Sequence, residues 1–299
     1  MANAGSVEHL SNWSKVTLRG VAEIVFQDNA LTGLLFLIGL LFASPWIALG
    51  GLLGSLIGTA VAYLLKYDTK EWNLGIYGFN PALVGMALFF KFQPSVIAFM
   101  ILPVACAAST VLTWLLRKLP FPTYTAAFIL TTWLVFALGP HVGLKLPPES
   151  SAPDKIYNPH TVVEMLRESA SGLAEIMFGA GLWTGLFFLA GLFVSNWRHG
   201  VLALLGSLVG TLIAHYHQDP NNLISIGIYG YNAALAAVAM YLWRPSLQLS
   251  MLGAILATPI TEFFPQTTLP TLTAPFVVAC WVIIALGKVD LYFNPQEKS

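Results

Sequence analysis

The chain has 299 residues, of which 57% are apolar types, 13% aromatic and only 9% charged, and its mean hydropathy is +0.72. Soluble domains carry about 25% charged residues, so an ordinary water-soluble protein is excluded, and the wealth of Leu, Phe and Trp excludes disorder. Fourteen basic residues balance fourteen acidic ones, which leaves no basic field to recruit nucleic acid, and no nucleic-acid partner is expected.

Residues 1–20 form a polar N-terminal segment without the positive head, apolar core and small-residue cleavage site of a leader, so no cleaved targeting peptide is expected. Val21–Phe26 is apolar but too brief to cross about 30 Å of hydrocarbon. Five longer apolar segments follow at Leu31–Ile47, Leu49–Leu65, Pro81–Phe90, Val96–Leu116 and Phe121–Leu138, the third of them short. A second series begins after a central linker, residues 141–168, where Pro147, Pro148, Pro153 and Pro159 with several charges read as a solvent-exposed connection, capped by an amphipathic helix from about Pro159 to Glu168. A polar tail, residues 289–299, closes the chain.

The two series repeat one another. Ala22-Glu23-Ile24-Val25-Phe26 with Leu31-Thr32-Gly33-Leu34 returns as Ala174-Glu175-Ile176-Met177-Phe178 with Trp183-Thr184-Gly185-Leu186. Leu53-Gly54-Ser55-Leu56-Ile57-Gly58-Thr59 returns as Leu205-Gly206-Ser207-Leu208-Val209-Gly210-Thr211, and Gly75-Ile76-Tyr77-Gly78-Phe79-Asn80 as Gly227-Ile228-Tyr229-Gly230-Tyr231-Asn232. These pairs share an offset of 152 residues, while Thr125-Ala126-Ala127-Phe128 and Thr273-Ala274-Pro275-Phe276 lie 148 apart. Such register is a tandem duplication, with repeats expected over residues 21–140 and 169–288.

The predicted fold class is therefore an all-α integral membrane protein with about ten transmembrane helices plus two short re-entrant segments. Five spans per half make the second half enter from the opposite side, giving two inverted repeats around a central pore. Charge supports that count. With the N-terminus inside, ten basic residues (Lys15, Arg19, Lys66, Lys70, Arg117, Lys118, Arg198, Arg244, Lys288 and Lys298) fall on inner loops, against four (Lys91, Lys145, Lys155 and Arg167) on outer ones. Both termini are expected in the cytoplasm.

The segment Gly75 to Leu83 combines two flexible glycines with Asn80, a good N-cap, and Pro81, which suits the first helical position. It reads either as a turn between spans or, because it recurs at Asn232, as a broken helix lining a permeation path; lipid tolerates such a break only when it is buried or lines a cavity. Glu23 and Glu175 occupy matching apolar surroundings, and a carboxylate in a membrane points to a pathway unless it sits at the interface. Gly50, Gly54 and Gly58, like Gly206 and Gly210, have the four-residue spacing of close helix contacts. His215 and His217 read as part of a polar loop without a metal role, and Cys106 and Cys280 as small buried hydrophobes. No nucleophile elbow, paired metal motif or phosphate-binding glycine loop is present, so no enzyme, cofactor or metal is expected.

Together the doubled Gly-x-x-Gly-x-Asn signature, the doubled Glu-Ile-x-Phe segment with its Thr-Gly-Leu follow-on, and the doubled Thr-x-x-Phe segment resemble the urea transporter family in its bacterial form, from about Val21 to Gly287. The resemblance implies a homotrimer in the bacterial inner membrane, each subunit carrying its own pore and passing urea down its gradient without ion coupling. By that resemblance Glu23 and Glu175 lie near the wide ends of a selectivity filter. Phe26, Phe79, Phe178 and Tyr231 make a flat slot, Leu83 and Leu235 line its walls, and Thr125 and Thr273 supply hydroxyls at its centre. Tyr231 stands where phenylalanine is usual.

The chemistry is coherent on its own terms. Urea is flat and neutral, with four N–H hydrogens and one carbonyl, so a pore for it needs oxygen acceptors along one edge and apolar plates above and below. Such plates give a hydrated ion little in return for lost water. The rival readings are a pore for ammonia, water or short amides, a membrane enzyme using Glu23 and Glu175 as an acid–base pair, and a structural or receptor protein.

Overall fold

Helix punctuation sets the architecture. In the computed structural model, which describes residues 4–147, 161–264 and 269–293, helix α1 (Ala4–Ala22) leads into a short 3-10 turn at Glu23–Val25 and then α2 (Ala30–Ala43). The two helices are bent by 74° at the break. The bend is built locally: Asn29 accepts hydrogen bonds from Leu31 N and Thr32 N and so caps α2. Ser44 likewise caps α3 (Pro45–Leu64), whose first residue is a proline, and it is the single residue between α2 and α3.

Short α4 (Thr69–Leu74) is started by Asp68, which accepts from Glu71 N, and stopped by Gly75 at φ +88°. Glycine is required here, because a Cβ on Gly75 would lie 2.5 Å from Gly20 N. Next come α5 (Phe79–Lys91), α6 (Val96–Leu116), capped by Ser95, and α7 (Ala126–Leu138). After the linker the order recurs: α8 (Val162–Glu175), α9 (Gly181–Ser195), α10 (Trp197–His217), α11 (Asn221–Ile226), α12 (Gly230–Trp243), α13 (Leu247–Glu262) and α14 (Ala274–Phe293). Among the described residues every regular element is helical.

Several expectations shift. The helix expected from Pro159 to Glu168 is α8, which runs on through Glu175; Pro148, Pro153 and Pro159 lie outside the described residues, as do Lys155 and Lys298. The apolar segment from Phe121 becomes helical only at Ala126. His215 and His217 belong to the last turn of α10 rather than to a loop.

Three helices, Pro45–Leu64, Val96–Leu116 and Trp197–His217, are long and apolar enough to cross a membrane, and Phe79–Lys91, Ala126–Val142, Gly181–Ser195 and Ala274–Val289 are shorter apolar helices. Val96, Met100 and Val104 recur every four residues along α6 and are 77%, 68% and 70% exposed, an apolar stripe that a hydrocarbon solvent accommodates and water does not.

Glycines bring the core helices together. A Cβ on Gly50 would meet Gly85 O at 2.3 Å, one on Gly85 would meet Gly50 O at 2.1 Å, and one on Gly54 would meet Pro81 O at 2.2 Å, so α3 and α5 touch backbone to backbone. Gly210 presses on Tyr229 O in the same way, at 2.2 Å. Cys106 and Cys280 are fully buried free thiols, as expected.

The two series meet through reciprocal contacts. Thr32 Oγ1 donates to Gly191 O at 2.8 Å, and its match Thr184 Oγ1 donates to Gly39 O, the match of Gly191, at 3.0 Å. Trp133 Nε1 donates to Pro270 O at 2.8 Å while Trp281 Nε1 donates to Pro122 O at 2.7 Å. Phe36 and Phe188 pack ring to ring at 4.8 Å. Contacts of the form i to j and j to i are the mark of a two-fold relation.

Candidate functional site

The two series also meet where α7 and α14 begin. Thr125 immediately precedes α7 and Thr273 immediately precedes α14, and their hydroxyls are 2.7 Å apart although 148 residues separate them. Both side chains are buried. Two helix N-termini therefore meet at a hydroxyl pair, and they bring the positive ends of their backbone dipoles to this locus without any charged side chain.

Asn80 and Asn232 hold these N-termini, and not in the way their sequence position suggests. Helix α5 starts at Phe79, so Asn80 lies inside it and does not cap it. Its Oδ1 instead accepts from Phe128 N in the first turn of α7 at 3.1 Å, and its Nδ2 donates to Thr113 Oγ1 at 3.0 Å. Asn232 repeats the arrangement, accepting from Phe276 N at 3.3 Å and donating to Thr261 Oγ1 and Leu272 O. Each asparagine thus caps another helix's N-terminus, which ties the broken stretch α4–α5, or α11–α12, to the hydroxyl centre.

Phe26 and Phe178 flank that centre. Each follows a 3-10-like turn with the same backbone bonds: Phe26 N to Glu23 O and Gln27 N to Ala22 O, then Phe178 N to Glu175 O and Gly179 N to Ala174 O. This ending demands a left-handed residue, normally glycine, yet the chain places phenylalanine there at φ +60° and +58°. A bulky residue in that region is strained by about 1–2 kcal/mol, and such strain is kept where the side chain has a task. Phe26 packs edge-on to Phe276 at 6.2 Å and Phe178 edge-on to Phe128 at 6.1 Å, so each ring meets the first turn of the opposite series' helix. Tyr124 joins Phe26 at 6.0 Å and Phe276 at 5.0 Å.

The remaining expected residues fall into place around this. Glu23 and Glu175 begin the turns that end in Phe26 and Phe178, both half-buried, and neither carboxylate belongs to an ion pair among the described residues. Phe79 packs half-buried against the core, and the Tyr231 hydroxyl donates to Leu272 O, beside Thr273. Leu83 and Leu235 are fully enclosed in the same core cluster.

Some neighbours escaped sequence reasoning. Tyr124 and Leu272 precede the threonines at φ +46° and +48°, a conformation that no pattern of residue types announces. Phe128 and Phe276 were visible as the ends of the repeated Thr-x-x-Phe segments, but their pairing with Phe178 and Phe26 was not. Buried Gln27, whose Nε2 bonds to Val25 O at 2.6 Å and contacts His199 Nδ1 at 3.0 Å, has Gly179 at its matching position and so leaves no repeat signal.

A sequence profile described as urea transporter matches residues 14–288, which is nearly the whole chain and both hydroxyl-bearing helix starts. The chain belongs to the urea transporter family. Among its relatives, urea transporter 1 of Rattus norvegicus is 27% identical over 327 aligned positions that cover 98% of this chain and 85% of the relative. Urea transporter 1 of Ovis aries and of Mus musculus are each 26% identical with the same coverage. As a urea transporter the chain is a multi-pass membrane protein of a transport family, not of an enzyme family, and urea is the solute its membership supports.

Proposed function

We propose that this urea transporter is a passive, channel-like pore in which urea passes between two inverted repeats, residues 21–140 and 169–288, through a filter centred on Thr125 and Thr273. The observation that carries the reading is the 2.7 Å approach of those two hydroxyls from matching positions. A hydroxyl both donates and accepts, so the pair can exchange its mutual bond for bonds to urea's N–H and C=O groups. The N-termini of α7 and α14 oppose a cation at the same point, which suits a neutral solute and removes the need for ion coupling.

Outward from the centre, Phe26, Phe79, Phe178 and Tyr231 are the plates of the slot, Leu83 and Leu235 its walls, and Glu23 and Glu175 the acceptors at its wide ends. The strained backbone of Phe26 and Phe178 supports their role as plates. The reciprocal bonds of Thr32 with Gly191 and Thr184 with Gly39 support an axis between the repeats, which we place in the membrane plane. The subunits form a homotrimer in a bacterial inner membrane with both termini in the cytoplasm. No cofactor takes part.

The test is uptake of labelled urea into proteoliposomes, run beside acetamide and ammonia. Urea flux should exceed that of empty vesicles, saturate weakly and be indifferent to ion gradients. Flux no greater than in empty vesicles overturns the reading, and ammonia passing while urea does not would select the alternative pore for another small neutral solute.

A further inference from the structure

At the far end of α10 the chain turns through Gln218, at φ +60°, and brings Asp219 back beside His217, while Glu262 closes α13 against them. His217 Nδ1 lies 2.8 Å from Glu262 Oε2, and one nitrogen or oxygen from each of the three residues falls within 4.8 Å of the others. We propose that His217, Asp219 and Glu262 form a binding site for one divalent cation of the zinc class.

The Glu262 side chain is only 3% exposed, yet its Oε1 receives no hydrogen bond, and neither does the buried Asp219 Oδ2. A carboxylate oxygen of Asp219 and one of Glu262 lie within 4.8 Å of each other, and both are acceptors when ionised. Among the described residues no lysine or arginine forms an ion pair with either. Glu262 also ends α13, where the backbone dipole adds negative potential. Buried acceptors this close together need a positive charge between them.

The fold does not require acids here. At the matching corner of the first repeat stand Leu65, Tyr67 and Trp114; Tyr67 and Trp114 stack face to face with centroids 5.1 Å apart and planes 5° apart. Apolar rings close that corner, whereas the second repeat replaces both rings with carboxylates and adds an imidazole. One nitrogen and two carboxylate oxygens, with water completing the shell, are a donor set that zinc accepts. His217 is 40% exposed, so an ion has an entry path, and it would bind with the imidazole proton on Nε2 and any proton shared by the carboxylates released to water. His215, two residues back on the helix, points elsewhere and is held by Glu168 at 2.9 Å.

The test is calorimetric titration of the metal-stripped, detergent-solubilised full chain with zinc chloride. One ion per chain is expected, with affinity reduced at least about tenfold in Glu262→Gln and in His217→Ala, and unchanged in His141→Ala, whose histidine is exposed and remote in sequence. Thermal unfolding with and without zinc is the second measurement: the ion should raise the midpoint of the native chain and leave that of Glu262→Gln unmoved. Absence of saturable one-to-one binding, or equal binding in all variants, overturns the site; in that case the two carboxylates share a proton. Neither readout involves urea, so the outcome is independent of the transport reading.

Discussion

Thr125 and Thr273 each satisfy the other, and that mutual dependence separates a structural effect from a transport effect. Thr125→Val leaves the Thr273 hydroxyl buried without a partner, which costs about 1–3 kcal/mol, whereas replacing both threonines by valine removes donor and acceptor together and is close to neutral. Thermal unfolding should show the double variant more stable than either single one, while urea flux falls in all three. Flux that recovered along with stability would mean that the hydroxyls serve packing alone. For the carboxylates, Glu175→Gln keeps two polar atoms at the slot's mouth and Glu175→Leu keeps none. The glutamine variant should retain most of the native flux and the leucine variant little of it; equal losses would show that charge, not hydrogen bonding, is what matters there.

Among the elements, the pairing of α3 with α5 and of α10 with α12 depends on small residues, and the two pairs are not equally tight. A Cβ at Gly54 would lie 2.2 Å from Pro81 O, and one at Gly206 would lie 2.8 Å from Ala233 O. Overpacking of this kind typically costs about 1–3 kcal/mol, so Gly54→Ala belongs near the top of that range and Gly206→Ala near the bottom. Unfolding midpoints in detergent should fall in that order; a reversed order would contradict the difference in approach. The same pairs explain the asparagines. With α5 held so close to α3 by Gly50 and Gly54, Asn80 faces α7 rather than the start of its own helix, and its amide serves Phe128 N and Thr113 Oγ1 instead. Short-range capping rules name the residue type correctly and the partner wrongly, because the partner's N-terminus arrives only through tertiary packing.

For the whole molecule, the two-fold reciprocity of the Thr32, Thr184, Trp133 and Trp281 bonds has a consequence in a membrane. If the axis lies in the bilayer plane, matching surface positions sit on opposite faces. Lys66 and Gln218 are both exposed, share a left-handed backbone, and lie at the 152-residue offset. Cysteines introduced at these two positions should react with an impermeant maleimide from opposite sides of a sealed vesicle, with Cys106 and Cys280 silent because they are buried. Labelling from the same side would place both repeats in one orientation and remove the inverted arrangement.

Much was already legible in the order of residues. Low charge and long apolar runs require a nonaqueous solvent, and internal repetition survives as identical small and polar residues because close backbone contacts and buried hydroxyls tolerate few alternatives. The threonines, the carboxylates and the Phe of Glu-Ile-x-Phe were visible in that way. What no linear pattern contains is the meeting of positions far apart in the chain: the bond between two hydroxyls, the crossing of Phe26 to Phe276 and Phe178 to Phe128, and the gathering of His217, Asp219 and Glu262. Local chemistry decides which residue can cap, bend or pack, since those energies act within a few residues. The choice of partner across the fold rests on the summed packing of many helices, and only the folded chain expresses that sum.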